Sequence, residues 1–328
     1  MRKLKTPDMK ISLYVKTIVM AMAATLAGCS GEDELSRSSY PADNVVRVVT
    51  NVNDIQTRAI YTNSNLRKFG LSIQNPKNER YCYGNNKVIK TGDVWTPSPQ
   101  MLWEKSSQEV DIYAYAPYNP NYTGNIYHAT EFPVNVSADQ TLEDDHSDFL
   151  LFKSSGFNPG SDLKNGSVPI EFNHALSLLE VHITFRDEFN EFAPLAADPI
   201  KEVLVKGAKL EGTCNFASQS VTVLEEASAA SVKAAQTSFT AADTFSINAA
   251  AIYSCILIPQ TLAARAFSVD MKINIDRDDR VYKWTSTQAL TLEAGKKYTL
   301  KLIVGKEAVD LGSVTEKRWL LGSLFYLY

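Results

Sequence analysis

The segment LLEVHITF, residues 178–185, shows most clearly which kind of fold the chain adopts. Every second residue is apolar, and mostly polar residues stand between them. The apolar positions are Leu179, Val181, Ile183 and Phe185. Side chains of a β-strand point alternately to the two faces of a sheet, so this pattern predicts a strand with one face in a hydrophobic core.

The same period of two recurs along most of the chain. Further strands are predicted at residues 45–49, 69–73, 110–116, 203–205, 256–258, 267–275, 281–284, 289–292 and 298–304. In the third of these, Val110, Ile112, Ala114 and Ala116 share one face, and Tyr113 and Tyr115 share the other. One Ala-rich segment, residues 224–236, is compatible with a helix or a loop. The sequence therefore predicts an all-β fold, with the strand spacing typical of a β-sandwich.

The amino terminus has the features of an export signal. Five basic residues and one acidic residue occupy positions 1–16, and an apolar run follows at residues 18–27. A membrane-spanning helix needs about 20 residues, whereas a basic start with a short apolar run is typical of a signal peptide. Residues 1–28 are therefore predicted to be a leader that is removed.

The residues around the cleavage point indicate a lipid anchor. The sequence Leu26-Ala27-Gly28-Cys29 resembles the lipobox of bacterial lipoproteins, which implies diacylation of the Cys29 sulfur. Acyl chains contribute roughly 0.8 kcal/mol per buried methylene, so they hold a protein on a membrane. The acidic residues Glu32, Asp33 and Glu34 resemble the export signal of Bacteroidetes-type surface lipoproteins, and they also suit a solvated linker. The expected location is the outer face of the cell outer membrane.

The domain organisation is predicted from a break in the strand pattern. Residues 157–167 are the least regular stretch of the mature chain and are rich in Gly, Ser and Asn. Domain boundaries commonly fall in such segments. We expect an acidic linker at residues 29–43, an N-terminal β domain at residues 44–165 and a C-terminal β domain at residues 166–328.

The charge balance limits the partners. The formal net charge is −4, and because the leader is basic, the mature chain is more acidic still. Nucleic-acid affinity is built mostly from Lys and Arg side chains that neutralise phosphates. We find no basic stripe in the sequence, so nucleic acid is not expected as a partner.

Cysteine use does not support redox or zinc chemistry. The four cysteines are Cys29, Cys82, Cys214 and Cys255, and none belongs to a Cys-x-x-Cys pair. With Cys29 acylated, at most one disulfide can form among the other three. Cys255 lies in an apolar segment and is interpreted as a small buried residue of a strand.

No motif for a cofactor, a metal ion or a catalytic centre is found. The histidines follow no metal-binding spacing, and His174 and His182, in strand segments, are interpreted as structural. Acidic runs at residues 143–145 and 276–279 have the oxygen ligands that calcium needs, but exposed turns with solvated charges are the favoured interpretation. We therefore expect no cofactor and no enzymatic activity.

Five segments, in this order, resemble the fimbrillin-like proteins of Bacteroidales. They are TRA at residues 57–59, LW at 102–103 with VDIYAYAP at 110–117, HSDFLL at 146–151, IEFNHALSLLEVHI at 170–183 and LTLEAGKKYTLKLIV at 290–304. The resemblance covers nearly all of the mature chain. It implies two tandem transthyretin-like β-sandwich domains, export as a lipoprotein and assembly into surface fimbriae. The implied partners are other fimbrial subunits and a host or bacterial surface ligand.

The resemblance also implies assembly by donor-strand exchange. A protease cuts after an arginine near the end of the first strand, that strand leaves, and a strand of the neighbouring subunit, often its C-terminal one, fills the groove. Arg58, followed by Ala59, matches this arginine, and the small polar residues around it suit an exposed loop. A solvated loop arginine is the other interpretation. An uncleaved chain would keep the Cys29 lipid and act as a basal anchor.

The C-terminal end departs from the family, whose chains commonly finish near a tryptophan such as Trp319. Here residues 320–328 follow, LLGSLFYLY, which are apolar and uncharged. Such a segment left free in water is an aggregation hazard, so we expect it to be buried. Three interpretations stay open: a donor strand, an added strand of its own domain, or read-through of an altered stop codon.

A second function is compatible with the sequence. Aromatic residues are frequent at residues 81–127, and an aromatic ring can cover the apolar face of a sugar. A monomeric surface lipoprotein that binds glycan or a host ligand is therefore the alternative, although core packing and subunit contacts explain these residues equally well. A glycosidase needs two carboxylates at a fixed separation, and no pair is indicated.

Overall fold

A computed structural model describes residues 39–52, 61–142, 147–190, 194–243, 248–275 and 278–319. These residues form β-strands, turns and three short 3₁₀ helices at Glu79–Tyr81, Ile126–His128 and Asp187–Asn190. The predicted all-β fold is confirmed. The described residues contain no helix of the length and hydropathy that a membrane span requires.

A closed sheet dominates the first half. The strands up to residue 185 are β1 (Val48–Val52), β2 (Lys68–Gln74), β3 (Tyr83–Thr91), β4 (Val94–Ser98), β5 (Val110–Ala116), β6 (Phe132–Asn135), β7 (Leu150–Phe157), β8 (Val168–His174) and β9 (Ser177–Phe185). Seven of them form a barrel in the order β1–β4–β3–β2–β5–β7–β8. In the described structure β1 closes it, running parallel to β8 and meeting β4 where Val48 lies opposite Trp95.

Two facing sheets form the second half. The remaining strands are β10 (Ile200–Lys209), β11 (Glu211–Asn215), β12 (Ser220–Val223), β13 (Ala229–Lys233), β14 (Ala235–Thr240), β15 (Ala250–Leu257), β16 (Gln260–Leu262), β17 (Ser268–Ile275), β18 (Asp278–Thr285), β19 (Leu290–Leu292), β20 (Lys296–Val304) and β21 (Val309–Arg318). One sheet has the order β13–β10–β17–β18, and the other β14–β15–β9–β20–β21. Val181, Val203, Val269 and Leu300 belong to the core between them. This half is therefore a β-sandwich.

A third core joins the barrel to the sandwich. It contains Tyr115 from the barrel and Ile256 from the sandwich. A three-stranded sheet in the order β12–β11–β6 also contributes, with Phe132 of β6 and Phe216 of the turn after β11. The Tyr115 ring meets Phe132 and Phe216 edge-on, with centroids 4.8 and 5.5 Å apart. Such pairs contribute about 0.5–1.5 kcal/mol beyond the buried area. The described residues from Tyr40 to Trp319 accordingly belong to one compact unit.

Most predicted strands are confirmed. Residues 69–73, 110–116, 178–185, 281–284 and 298–304 all lie within strands. The two faces of β5 are also as predicted, because Val110, Ile112, Ala114 and Ala116 point into the barrel core whereas Tyr113 and Tyr115 point into the third core. Cys255 lies in β15 and is 1% exposed, as expected of a buried strand cysteine.

The helix considered for residues 224–236 is wrong. This segment contains β13 and the start of β14. Val232 and Ala234 are buried in the sandwich core, and β13 pairs with β10. The Lys209 ammonium also donates to the Glu225 carbonyl at 2.6 Å. Alanine has the highest helix propensity, but propensity is a weak determinant, and here strand pairing and burial outweigh it.

Strands on opposite sides of the predicted domain boundary pair with each other. β8 begins after residue 165, yet it pairs with β1 and β7 of the barrel. β6 precedes the boundary, yet it pairs with β11. The change from barrel to sandwich falls between the end of β8 at His174 and the start of β9 at Ser177. The division into two transthyretin-like domains at residues 44–165 and 166–328 stays a prediction.

Candidate functional site

β1 fills an apolar slot in the barrel. Val46, Val48 and Val52 point inward and are 1%, 4% and 0% exposed, whereas Val49 points outward and is 47% exposed. Burial of a valine side chain contributes about 1.5–3 kcal/mol, so the three together contribute roughly 5–9 kcal/mol. The strand therefore stabilises the barrel mainly through alternate side chains on one face.

Main-chain pairing holds β1 chiefly along β8. The two strands run parallel from Val48 opposite Val168 to Val52 opposite Phe172. The segment just before β1 is held on the other side, where the Val46 N–H donates to the Met101 carbonyl at 3.0 Å. Loss of β1 would leave one edge of β8 without its partner.

Aromatic side chains line the slot beneath β1. The Phe69 ring lies edge-on to Trp95 and to Phe172, with centroid distances of 5.1 and 5.4 Å. Trp95 lies opposite Val48, and Phe172 opposite Val52. A segment that takes the place of β1 therefore needs apolar side chains at alternate positions and a free main chain that pairs with β8.

The chain is anchored on both sides of residues 53–60. The Val52 N–H donates to the Asn63 side-chain oxygen at 2.8 Å, and the Asn63 amide donates to Asn51 at 2.9 Å. Tyr61 and Thr62 are buried, at 6% and 5% exposure. The end of β1 and the residues after this segment are thus tied to each other.

Several sequence-predicted sites lie outside the described residues. Arg58 and Ala59 fall within residues 53–60, and the lipid-attachment residue Cys29 with the acidic residues Glu32, Asp33 and Glu34 falls within residues 1–38. Residues 320–328 also lie outside. These assignments stay predictions.

A buried polar group joins distant parts of the chain. The His174 Nδ1 atom lies 2.8 Å from the Asp148 Oδ2 atom, which also accepts the Tyr61 N–H at 3.2 Å. The side chains of His174 and Asp148 are 1% and 0% exposed. The His174 ring stacks on the Trp319 indole ring, and the backbone N–H of Trp319 donates to the Gly295 carbonyl at 2.7 Å. Sequence reasoning treated His174 as structural but missed its partners, which only the tertiary fold brings together.

A second ionic group lies on the outer face of the sandwich. The Glu180 carboxylate accepts hydrogen bonds from His182 at 3.0 Å and from Lys297 at 3.1 Å. Burial raises the pKa of Glu180, but these hydrogen bonds outweigh burial and place the pKa below its ordinary value. The group is therefore a structural ion cluster that links β9 to β20.

The cysteines and acidic runs have structural surroundings. Cys82, Cys214 and Cys255 are all free thiols, and burial raises the pKa of Cys214 and Cys255 to about 12. Of the acidic runs considered for calcium, residues 143–145 and 276–277 lie outside the described part. Asp278 and Asp279 form ion pairs with Arg280 and Lys272. Within the described ranges, no group of three or more His, Cys, Asp or Glu side chains is arranged to hold a metal ion.

The aromatic residues at 81–127 divide into two sets. Trp95, Trp103, Tyr113 and Tyr115 are buried in the cores. A second set is half-buried: Tyr81, Tyr83, Tyr118, Tyr122 and Tyr127. Core packing explains the first set, and only the second set has ring surface left for another molecule.

Comparison with known proteins relates this architecture to a family. The family model described as fimbrillin-like matches residues 52–319. Similar solved structures include candidate cell adhesion proteins from Bacteroides uniformis (17% identity, TM-score 0.60, 85% of this chain and 99% of that chain) and Bacteroides ovatus (16%, 0.60, 85% and 98%). A fimbrial protein from Bacteroides vulgatus is also similar (14%, 0.52, 83% and 99%). At these identities the structures show a shared fold. No protein of curated function matches the sequence.

Proposed function

Because the chain belongs to the fimbrillin-like family, we propose that it is a structural or adhesive subunit that assembles into surface fimbriae by donor-strand exchange. The family consists of fimbrial and adhesion proteins rather than enzymes. On this proposal the chain is exported as a lipoprotein through Cys29, and Glu32, Asp33 and Glu34 direct it to the outer face of the outer membrane. Its partners are other fimbrial subunits.

The observation that carries the proposal is the position of β1. This strand pairs along β8, meets β4 at Val48, and is followed directly by the segment that contains Arg58. Its removal would uncover the slot lined by Phe69 and Phe172 and one edge of β8. A strand of a neighbouring subunit would restore both the main-chain bonds and the burial of apolar side chains.

Processing at Arg58 would connect delivery to assembly. Cleavage between Arg58 and Ala59 separates Cys29 and β1 from the rest of the chain, so the lipid delivers the subunit and the protease releases it. A chain that is not cleaved keeps its lipid and serves as a basal anchor.

The C-terminal strand is the proposed donor. β21 is an edge strand, and among the described strands it pairs with β20 alone. Most of its side chains are exposed. Val309, Leu311 and Val314 share one face of β21, and apart from Trp319, which follows the strand, few buried side-chain contacts would be lost if β21 left its own sheet to enter the slot of a neighbour.

Electrophoresis of outer-membrane material without boiling tests assembly. The proposal expects a ladder of polymer bands and Ala59 as the new amino terminus. The variant Arg58→Ala should stall assembly and accumulate lipidated precursor, whereas Arg67→Ala, at an exposed arginine nine residues further on, should assemble normally. A single band at monomer mass under every condition would contradict the proposal.

A second candidate function is a monomeric surface lipoprotein that binds glycan or a host ligand. The observation that favours it is the half-buried set of tyrosines at residues 81–127, which have exposed ring surface. The same electrophoresis separates the two candidates, because this function predicts the monomer band.

A further inference from the structure

The two sheets of the sandwich differ in size, and this leaves one side open. The sheet that ends in β21 has five strands, and the sheet that ends in β18 has four. An apolar groove of about 350 Å³, here named the edge groove, lies on this side. Its apolar lining is Phe267, Trp284, Leu290, Leu311 and Val314.

Leu311 and Val314 lie on the core-facing side of β21 without being covered. Their partners on β20, Leu302 and Leu300, are both fully buried. A register shift beside Lys301 brings two residues three positions apart onto the same face. Leu311 and Val314 are nevertheless 49% and 43% exposed. No segment of the described ranges covers these apolar side chains on the core face of the strand.

The chain itself continues from a fixed point at the end of β21, one of the strands that line this groove. Trp319 is 1% exposed and bonded to Gly295, and nine further residues follow it, LLGSLFYLY. At about 3.3 Å per residue, an extended segment of this length spans about 30 Å. By the same rise, Val314 lies about 17 Å and Leu311 about 26 Å back along β21 from Trp319. With about two residues used to reverse the chain, the other seven span about 23 Å, so the main chain reaches Val314 and its last side chain comes within reach of Leu311.

We propose that residues 320–328 fold back and dock in the edge groove of their own chain. The segment carries no charge, and the edge groove is lined by apolar side chains and by the uncharged polar side chains of residues 285–288. Two other grooves of the sandwich are lined by charged side chains, among them Arg186 and Glu188 in one and Lys201 and Glu202 in the other. Burial of an uncharged apolar segment favours the edge groove over these.

In the unassembled subunit, docking would hold β21 in its own sheet. Apart from its main-chain bonds to β20, this strand contributes few buried side chains. A segment packed over Leu311 and Val314 would give β21 the core contacts that it otherwise lacks. The inference does not rest on cleavage at Arg58 or on polymerisation, so its test stands apart from that of the proposed function.

Disulfide trapping in the unprocessed full chain tests the proposal. The background carries Cys29→Ser and Cys82→Ser, while Cys214 and Cys255 are buried and remain unreactive. Val314→Cys is combined with Tyr326→Cys in one variant and with Leu327→Cys in another, since a two-residue reversal places these positions about 17–20 Å back along β21 and adjacent residues of an extended segment face opposite sides. In the monomer fraction, mass spectrometry should find an intrachain disulfide in at least one of the two variants.

Thr315→Cys supplies the matched control. Thr315 is exposed and lies opposite Thr299, on the other face of β21. Paired with the same two tail cysteines, it should give several-fold less intrachain disulfide than Val314→Cys. The proposal would be overturned by equal yields, by no disulfide, or by disulfides that form only between chains. The last result would assign the segment to the groove of a neighbouring subunit.

A truncated chain that ends at Trp319 gives a second measurement. Its amide hydrogen exchange over residues 309–318 should be several-fold faster than in the full chain, because β21 loses its cover. Exchange in β8 should stay unchanged and serves as the internal reference. Equal exchange of β21 in the two chains would also overturn the proposal.

Discussion

The imidazole ring of His174 stacks face to face on the indole ring of Trp319, with centroids 4.0 Å apart and planes inclined by 8°. His174 ends β8 of the barrel, and Trp319 directly follows β21 of the sandwich. Asp148 binds His174 and also accepts the Tyr61 N–H. Through His174 and Asp148, the last described residue is thus linked to the part of the chain that follows residues 53–60.

The stacked pair predicts a strong effect of Trp319→Ala on stability. Trp319 is 1% exposed, and truncation of a buried Trp to Ala costs about 3–5 kcal/mol through lost burial and the cavity left behind. Urea unfolding should show a midpoint shifted to lower denaturant with an unchanged slope.

Trp319→Phe is the matched control for this prediction. It keeps an aromatic ring against His174 and removes the indole Nε1–H, which has no hydrogen-bond partner among the described residues. Its loss of stability should be clearly smaller than that of Trp319→Ala. Equal losses in the two variants would show that the stacked contact contributes little.

Asp148→Ala should loosen the chain next to residues 53–60. The substitution removes the carboxylate that accepts the Tyr61 N–H and lies against the His174 Nδ1 atom, and loss of a partner for a buried polar group costs about 1–3 kcal/mol. Limited digestion with trypsin should therefore cut at Arg58 faster than in the unmodified chain. Asp93→Ala, at an exposed turn, should leave the rate unchanged; equal acceleration by both would contradict the prediction.

The ion cluster around Glu180 predicts a pH dependence of stability. Burial raises the pKa of Glu180, but hydrogen bonds from His182 and Lys297 outweigh it and lower the pKa in the folded state. The stability from this group is therefore fully present above the unfolded-state value, about 4.3 for Glu. It is lost as the pH falls through the lower folded-state pKa, because the unfolded state then binds the proton more readily.

Glu180→Gln tests this sign. Between neutral pH and pH about 3, the free energy of unfolding should fall less in the variant than in the unmodified chain, since one linked proton is removed. Glu171→Gln, at an exposed position of β8, should leave the dependence of the unfolding free energy on pH unchanged. Parallel curves of unfolding free energy against pH for the unmodified chain and Glu180→Gln would contradict the lowered pKa of Glu180.

The sequence predicts strands well where local pattern and tertiary environment agree. The alternation in β5 identifies both of its faces, yet it does not reveal that Tyr113 and Tyr115 are buried as well, because that core is completed by β11, far away in the chain. In residues 224–236, the preference of Ala for helix loses to pairing with β10. Nothing local in the sequence indicates that Asp148 and Trp319 meet at His174, since the two approach from separate sheets.

The slot beneath β1 predicts the sequence of a replacement strand. A chain that begins at Ala59 lacks β1, so it should bind a synthetic peptide of residues 44–52, which carries Val46, Val48 and Val52 at the inward positions. The peptide would restore the pairing with β8 and the burial of these side chains. Isothermal titration calorimetry measures the affinity.

Two altered peptides distinguish the slot from non-specific binding. Val48→Asp would bury an unpaired carboxylate against Trp95, so the peptide should not bind detectably. Val49→Asp changes the outward face, 47% exposed, and should bind within a few-fold of the original. Because the two substitutions are chemically identical and adjacent, equal affinities would show that the alternate side chains of β1 do not determine what enters the groove. A large difference would identify inward apolar positions as the requirement that any donor strand must meet.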